Sequence, residues 1–243
     1  MMHLLVFQHV DVEHPGIFRD FWSAQGVDWT TVELDDGGAI PEDLAAYDAL
    51  VVMGGPMDVW QTAEYRWLVP EIAAIRHFVV DLGRPYLGVC LGHQLLAAAL
   101  GSEVVPARAP EVGPCDVELT PEGRRDPLFR GLSGPLLTFQ WHGAEVAALP
   151  EGAVALARTE LCEIQAMRWG RHAYGLQFHA ELTPATVDEW SLIPAYKESL
   201  EQALGNAKAG SLAGDTALLL PGFAATARTL NDNFMRQIAG QRP

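Results

Sequence analysis

The sequence predicts an α/β protein: a mostly parallel central sheet flanked by helices, with an additional small antiparallel β section. Three observations carry this. Up to Gly101, short apolar runs alternate with amphipathic stretches, the pattern of strands joined by helical crossovers. Beyond Gly101 the chain turns β-rich, with turn residues between short apolar segments. A length of 243 residues at 49% hydrophobic content suits a single unit able to bury a substantial core.

The elements follow in order. Strands are expected over Leu4 to Val10, Trp29 to Leu34 and Ala49 to Met53, with a helix over Gly16 to Gln25. From Pro70 to Leu82, Ile72, Ile75, Phe78, Val79 and Leu82 share one helical stripe; Pro70 suits a first helical position and Gly83 a stop. Pro85 to Val89 reads as a buried strand and Leu91 to Leu100 as a helix ended by Gly101. Strands are then expected over Cys115 to Thr120, Leu136 to Trp141 and Val154 to Arg158. A hairpin joins Ile164 to Trp169 with Ala173 to Phe178 across Gly170-Arg171. Helix returns after Pro184, through Leu200 to Leu204 and again over Phe223 to Ile238, with the Gly- and Ala-rich stretch 205–214 expected as a loop. Neither an internal repeat nor a low-complexity segment stands out.

Composition removes several classes of function. The net charge is −15, from 31 acidic against 16 basic residues, which opposes binding to nucleic acid or to anionic membrane and favours solubility. The opening Met-Met-His-Leu-Leu-Val-Phe lacks the basic flank and cleavage site of a secretory signal, and no run reaches membrane-spanning length. The cysteines at 90, 115 and 162 give neither a disulfide framework nor a paired zinc spacing. A cytoplasmic protein is expected, with Cys115 and Cys162 as packing residues. The eight histidines show no H-E-x-x-H or comparable ligand spacing, so no metal site is expected.

Three short segments carry chemistry. In Gly88-Val-Cys90-Leu-Gly92-His-Gln94, a thiol sits on a glycine-flanked turn between a strand and a helix, where free N–H groups and the helix dipole favour its anion. This is the layout of a strained nucleophile elbow. In Gln177-Phe-His179-Ala-Glu181, residues two apart on extended chain face one side, so Glu181 can hold the His179 ring while its other nitrogen meets Cys90. In Met53-Gly54-Gly55-Pro56, a glycine turn after an apolar strand can aim N–H groups at a developing oxyanion. His93, beside the elbow but on the helix, is expected to point away and be structural.

These motifs, in this order, resemble the class I (triad-type) glutamine amidotransferases, especially free-standing members related to the glutaminase domain of GMP synthase. The Gly-x-Cys-x-Gly-x-Gln pattern matches Gly88 to Gln94, and Phe-His-Pro-Glu matches Phe178 to Glu181; the resemblance covers about residues 45–182. It implies the flavodoxin-like class I glutamine amidotransferase fold, one domain over 1–243 with a core to about 183 and a helical extension over about 184–243. It implies Cys90 as nucleophile, His179 as general base and acid, and Glu181 as orienting carboxylate. Gly55 and Leu91 would form the oxyanion hole, and Gly54, Gln94 and a Trp141-His142-Gly143 turn would bind substrate. The activity implied is hydrolysis of glutamine to glutamate and ammonia through a γ-glutamyl thioester, with no cofactor.

Three positions depart from the family pattern. Ala180 replaces proline, Asp58 stands where serine is frequent, and Ala144 follows His142-Gly143 where relatives often carry an acid. The first is expected to have a small effect; the others bear on substrate preference. No Walker-type or Ser-Gly-Gly phosphate loop is present, so the chain itself is not expected to spend ATP on using ammonia. That leaves two catalytic expectations: a glutaminase subunit passing ammonia to a separate synthetase, or a stand-alone hydrolase of γ-glutamyl peptides or amides. A non-catalytic binding module of the same fold is a third reading, opposed by the presence of all three triad residues.

Overall fold

Strand β1 (His3–Gln8) is apolar on both faces, which suits a strand covered by helices on each side, and it pairs in parallel with β2 (Asp28–Glu33) and β3 (Ala49–Val52). The structure, a computed structural model, describes residues 2–241. Beyond β3 come β4 (Tyr86–Val89) and then β9 (Ala173–Leu176), both still parallel. The sheet continues antiparallel through β8 (Ala166–Trp169), β7 (Ala153–Arg158), β5 (Val104–Leu119) and β6 (Leu136–Val146), giving nine strands in the order β2-β1-β3-β4-β9-β8-β7-β5-β6.

Helices α1 (Phe18–Gln25) and α6 (Leu212–Ala239) cover one face of the parallel strands, burying Phe18, Trp22, Leu230 and Phe234 with Leu4, Val6 and Val51. The opposite face is covered by α2 (Leu68–Arg76) and α3 (Leu91–Ala99), which bury Ile75, Leu95 and Leu96 with Leu5, Leu50 and Val52. A third cluster lies under α4 (Thr186–Trp190) and α5 (Pro194–Ala209), where Trp190, Tyr196 and Leu200 pack on Phe139 and Trp141.

Several expected boundaries move. Helix α2 begins at Leu68, so Pro70 is its third residue, still within the turn whose N–H groups lack intrahelical partners; a π-helical turn over His77–Asp81 completes the stretch. The strand expected to begin at Cys115 starts at Val104: Pro106 and Pro110 fall at a register shift between Pro106 and Glu111, and Gly113 and Pro114 pair in register with Gln140 and Phe139. Trp141-His142-Gly143 is not a turn. It lies within β6, paired with β5, so that His142 faces Glu111. The segment 205–214 is mostly helical; only a kink at Gly205 (φ +69°) and a short break before Leu212 interrupt it. No helix among the described residues is long and apolar enough to cross a membrane.

Candidate active site

The expected elbow is present. Cys90 joins β4 to α3 at φ +52° and ψ −105°, and it is the one non-glycine residue at positive φ among those described. Such a backbone is tolerated because its surroundings fix it: the Cys90 N–H donates to Leu176 O at 2.7 Å, and the Gly92 N–H to Met53 O at 3.1 Å. The flanking glycines are steric necessities. A Cβ on Gly92 would stand 2.1 Å from the Val52 carbonyl oxygen, and one on Gly88 would stand 2.4 Å from the Gly92 backbone. Helix α3 therefore rests directly on β3 and β4, and the thiol is held at the carboxyl end of the parallel strands, where open α/β sheets bind ligands.

His179 arrives from the chain just beyond β9. It forms an antiparallel bridge with Phe139, donating to Phe139 O at 2.8 Å and accepting from the Phe139 N–H at 3.0 Å. Its Nδ1 lies 2.7 Å from Glu181 Oε1, while the other oxygen of Glu181 accepts the Ala180 N–H at 2.9 Å. A proline at 180 lacks that donor, so the departure from the family pattern adds a hydrogen bond to the carboxylate. Trp190 stands edge-on to the imidazole at 4.6 Å between ring centres. His179 Nε2 is buried and without a hydrogen-bond partner, the state of a nitrogen left free for another group. Burial opposes charge on this ring, yet Glu181 and Cys90 together hold its pKa well above the usual histidine range.

The thiol itself behaves differently from the expectation. Burial, joined by the charges of Glu13 and Glu181, pushes the Cys90 pKa up and outweighs the opposing pull of His179. Its Sγ lies 3.8 Å from Trp141 O and 3.7 Å from Gln177 Nε2. The other two cysteines are also pushed up, Cys115 to about 11 and Cys162 to about 12. Cys162 is buried as expected of a packing residue, whereas Cys115 is half-buried on β5.

A cleft of about 150 Å³ opens over Cys90. Gly55, Gln94, Trp141, His142 and Gly143 all line it, together with Asp58, Tyr196 and Ser199. The Leu91 N–H opens α3 and has no intrahelical partner; Gly54 lies immediately behind the lining, against His179 and Glu13. Gln94 is fixed by its side-chain amide, which donates to Ala144 O at 3.2 Å and Gln177 Oε1 at 3.1 Å. His142 is held from behind, Nδ1 3.0 Å from Ala144 O and Nε2 3.2 Å from Glu111 Oε2. Glu111 also accepts from Gln165 and Thr159. Asp58 is half-buried at the cleft, and burial raises its pKa. His93 is outside the site: fully buried, it packs on Gly175 of β9, and burial pulls its pKa down to about 3. Among the described residues, no three His, Cys, Asp or Glu side chains gather as metal ligands.

Sequence reading missed several groups that border this site. Glu13, from the loop after β1, is buried beside Gly54, and Tyr196 of α5 donates to its Oε1. His9 Nδ1 lies 2.7 Å from Gly54 O and its Nε2 2.8 Å from Glu71 Oε1, an entirely buried pair. The available signal was positional: His9 and Glu13 follow β1 at the carboxyl edge of the sheet. Nothing local marks Tyr196 or Trp190, which reach the site from the far end of the chain.

A cysteine on a strained elbow, with a histidine–carboxylate pair behind it and a cleft in front, is the arrangement that cysteine acyl-transfer chemistry calls for. The class I glutamine amidotransferase family model matches residues 19–193, and the chain belongs to that family. It is 32% identical over 209 residues to the glutamine amidotransferase-like protein YfeJ of Salmonella typhimurium, covering 84% of each chain. It is 33% identical over 189 residues to a glutamine-hydrolysing GMP synthase subunit of Halobacterium salinarum, covering 75% of this chain and 90% of that one. Among solved structures, a glutamine amidotransferase from Thermotoga maritima matches with a TM-score of 0.83 at 28% identity, covering 96% of this chain and 97% of its own. Another from Methylobacillus flagellatus matches with a TM-score of 0.85 at 26% identity, covering 97% and 95%.

Proposed function

We propose that this chain hydrolyses the side-chain amide of glutamine to glutamate and ammonia, with Cys90 as nucleophile, His179 as base and acid, and Glu181 as the carboxylate that orients the imidazole. The reading is carried by one observation: a buried His179 whose Nδ1 is held by Glu181 and whose Nε2 is unpartnered, behind an elbow thiol that lines a cleft. As Sγ attacks the amide carbon, its proton passes to His179 Nε2, and the oxyanion is met by the N–H groups of Gly55 and Leu91. His179 then returns the proton to nitrogen as the C–N bond breaks, releasing ammonia and leaving a γ-glutamyl thioester. Water, deprotonated by the same nitrogen, releases glutamate. Cys90 and His179 are coupled and share one proton, which the ring holds once sulfur has attacked.

The cleft favours glutamine over bulkier γ-glutamyl amides. It is well below the roughly 300–1,000 Å³ of sites that enclose drug-sized ligands, and Tyr196 and Ser199 of α5 narrow it. Gln94 and the His142-Gly143 segment would contact the glutamine backbone. The whole chain would act as one domain in which the helical extension from about residue 184 closes one wall of the site. The ammonia would pass to a separate synthetase, as the name of the Halobacterium relative suggests. Glutamate release from glutamine and from a panel of γ-glutamyl peptides, with Cys90→Ala as control, tests the reading. Glutamine turnover abolished by the substitution is expected. Activity surviving in Cys90→Ala would overturn the nucleophile, and fast turnover of a peptide with little on glutamine would overturn the ammonia-donor role.

A further inference from the structure

Glu13 is a buried carboxyl that the proposed chemistry does not use. Its relative exposure is 1%, one oxygen accepts from Tyr196 Oη–H, and the other, Oε2, has no hydrogen-bond partner. That free oxygen is aimed at the site. A Cβ on Gly54 would stand 2.0 Å from Glu13 Oε2 and 3.3 Å from His179 Cε1, so both atoms border the same point beside the Gly54 backbone. Glu181 holds His179 at Nδ1, and Nε2 is the nitrogen left for the thiol. Glu13 therefore addresses the remaining polar edge of the ring, the Cε1–H between the two nitrogens, which becomes more positive when the ring is protonated.

We propose that Glu13 is a positioning residue of the amide hydrolysis: its carboxylate, held by Tyr196, faces the Cε1 edge of His179 and stabilises the imidazolium formed as Cys90 attacks. The proposal rests on the triad reading above. Five titratable groups face Glu13 from the elements around it: His179, Tyr196, His9, Glu181 and Cys90. The two histidines and the tyrosine hydroxyl favour its ionised form, and Glu181 and burial oppose it, leaving a carboxyl that ionises at about 7. The site then gains its second carboxylate across neutral pH. Tyr196 also lines the cleft and packs on Trp141 and Trp190, so the same hydroxyl that fixes Glu13 ties α5 to the reacting centre.

The test separates this proposal from the triad reading by following His179 directly. In Cys90→Ala protein, which removes the coupled thiol, the 13Cε1 NMR titration of His179 is compared with that of the Cys90→Ala/Glu13→Gln double variant. Glutamine keeps the acceptor for Tyr196 and removes the charge. A fall of about one pH unit in the His179 midpoint is expected. In the intact enzyme, Glu13→Gln is expected to lower kcat about tenfold with little change in KM. Tyr196→Phe, which leaves the carboxyl but removes its donor, gives the same change at about threefold and serves if Glu13→Gln does not fold. An unchanged His179 midpoint, or a loss carried by KM alone, overturns the proposal. Absence of glutamine or γ-glutamyl turnover in the unsubstituted protein overturns the triad reading instead, and the ring titration still decides the role of Glu13.

Discussion

The two sides of this site are built on different principles. The side of the proposed nucleophile, where β3, β4 and α3 meet, is made by close approach: Gly88 and Gly92 let backbone touch backbone, and the strained Cys90 is fixed between them. The side of the proposed base is made by pairing and cover. His179 is bridged to Phe139, held by Glu181 and edged by Trp190, and Glu13, itself held by Tyr196, lies near it beside Gly54. A nucleophile needs an exact position, which sterics supply cheaply. A base needs a tuned charge, which demands partners brought in from several elements.

That contrast predicts different failures. On the base side, Glu181→Gln should lower kcat for glutamine by about 10³-fold, since the imidazole loses its orienting charge, while the urea midpoint changes little. A comparable loss of stability would show that pairing on this side is structural. On the nucleophile side, Gly92→Ala should cost about 3 kcal/mol in urea unfolding, because its Cβ would meet the Val52 oxygen at 2.1 Å and backbone has to move. A neutral result would break the steric account of the elbow.

Glu13→Gln sharpens the comparison further, because it should improve one property while harming another. The Glu13 pKa rises from 4.5 to about 7 on folding. The folded protein thus holds its proton over a range where the unfolded chain has released it, and stability is lost as pH climbs from 4.5 through 7. By pH 8 the loss amounts to about 3 kcal/mol. The glutamine variant should therefore be more stable than the parent at pH 8, equal to it near pH 4, and slower only from about pH 7 upward, where Glu13 carries its charge. Parallel stability curves for the two proteins would refute the buried-carboxylate cost. The smallest expected effect is that of Ala180→Pro: loss of the 2.9 Å N–H bond to Glu181 offset by a stiffer chain, within about 1 kcal/mol and about threefold in kcat.

Legibility in the sequence followed the same division. The elbow could be read because its requirements are local: a strand, a helix and small residues at fixed spacing around one thiol. His179 and Glu181 could be read because two residues apart on extended chain face one side. The strand Val104–Leu119 is legible only in its last part, since prolines and a glycine usually end strands, and here a register shift takes up Pro106 and Pro110 while Gly113 and Pro114 stay paired with β6. The turn expected over Trp141 to Gly143 came from the family resemblance and not from local spacing, and pairing with β5 keeps the segment extended.

The sequence by itself determined the α/β architecture, the identity of the elbow cysteine and the histidine–glutamate pair, because each rests on interactions within a few residues. Tertiary structure alone decided the rest. It raised the thiol's pKa, because burial, with Glu13 and Glu181, opposes ionisation more than His179 favours it. It also brought Trp190 against His179, and Glu13, with Tyr196 bonded to it, to the same place beside Gly54 from distant parts of the chain. Buried charge responds to every group packed around it, and no local spacing records which groups those will be.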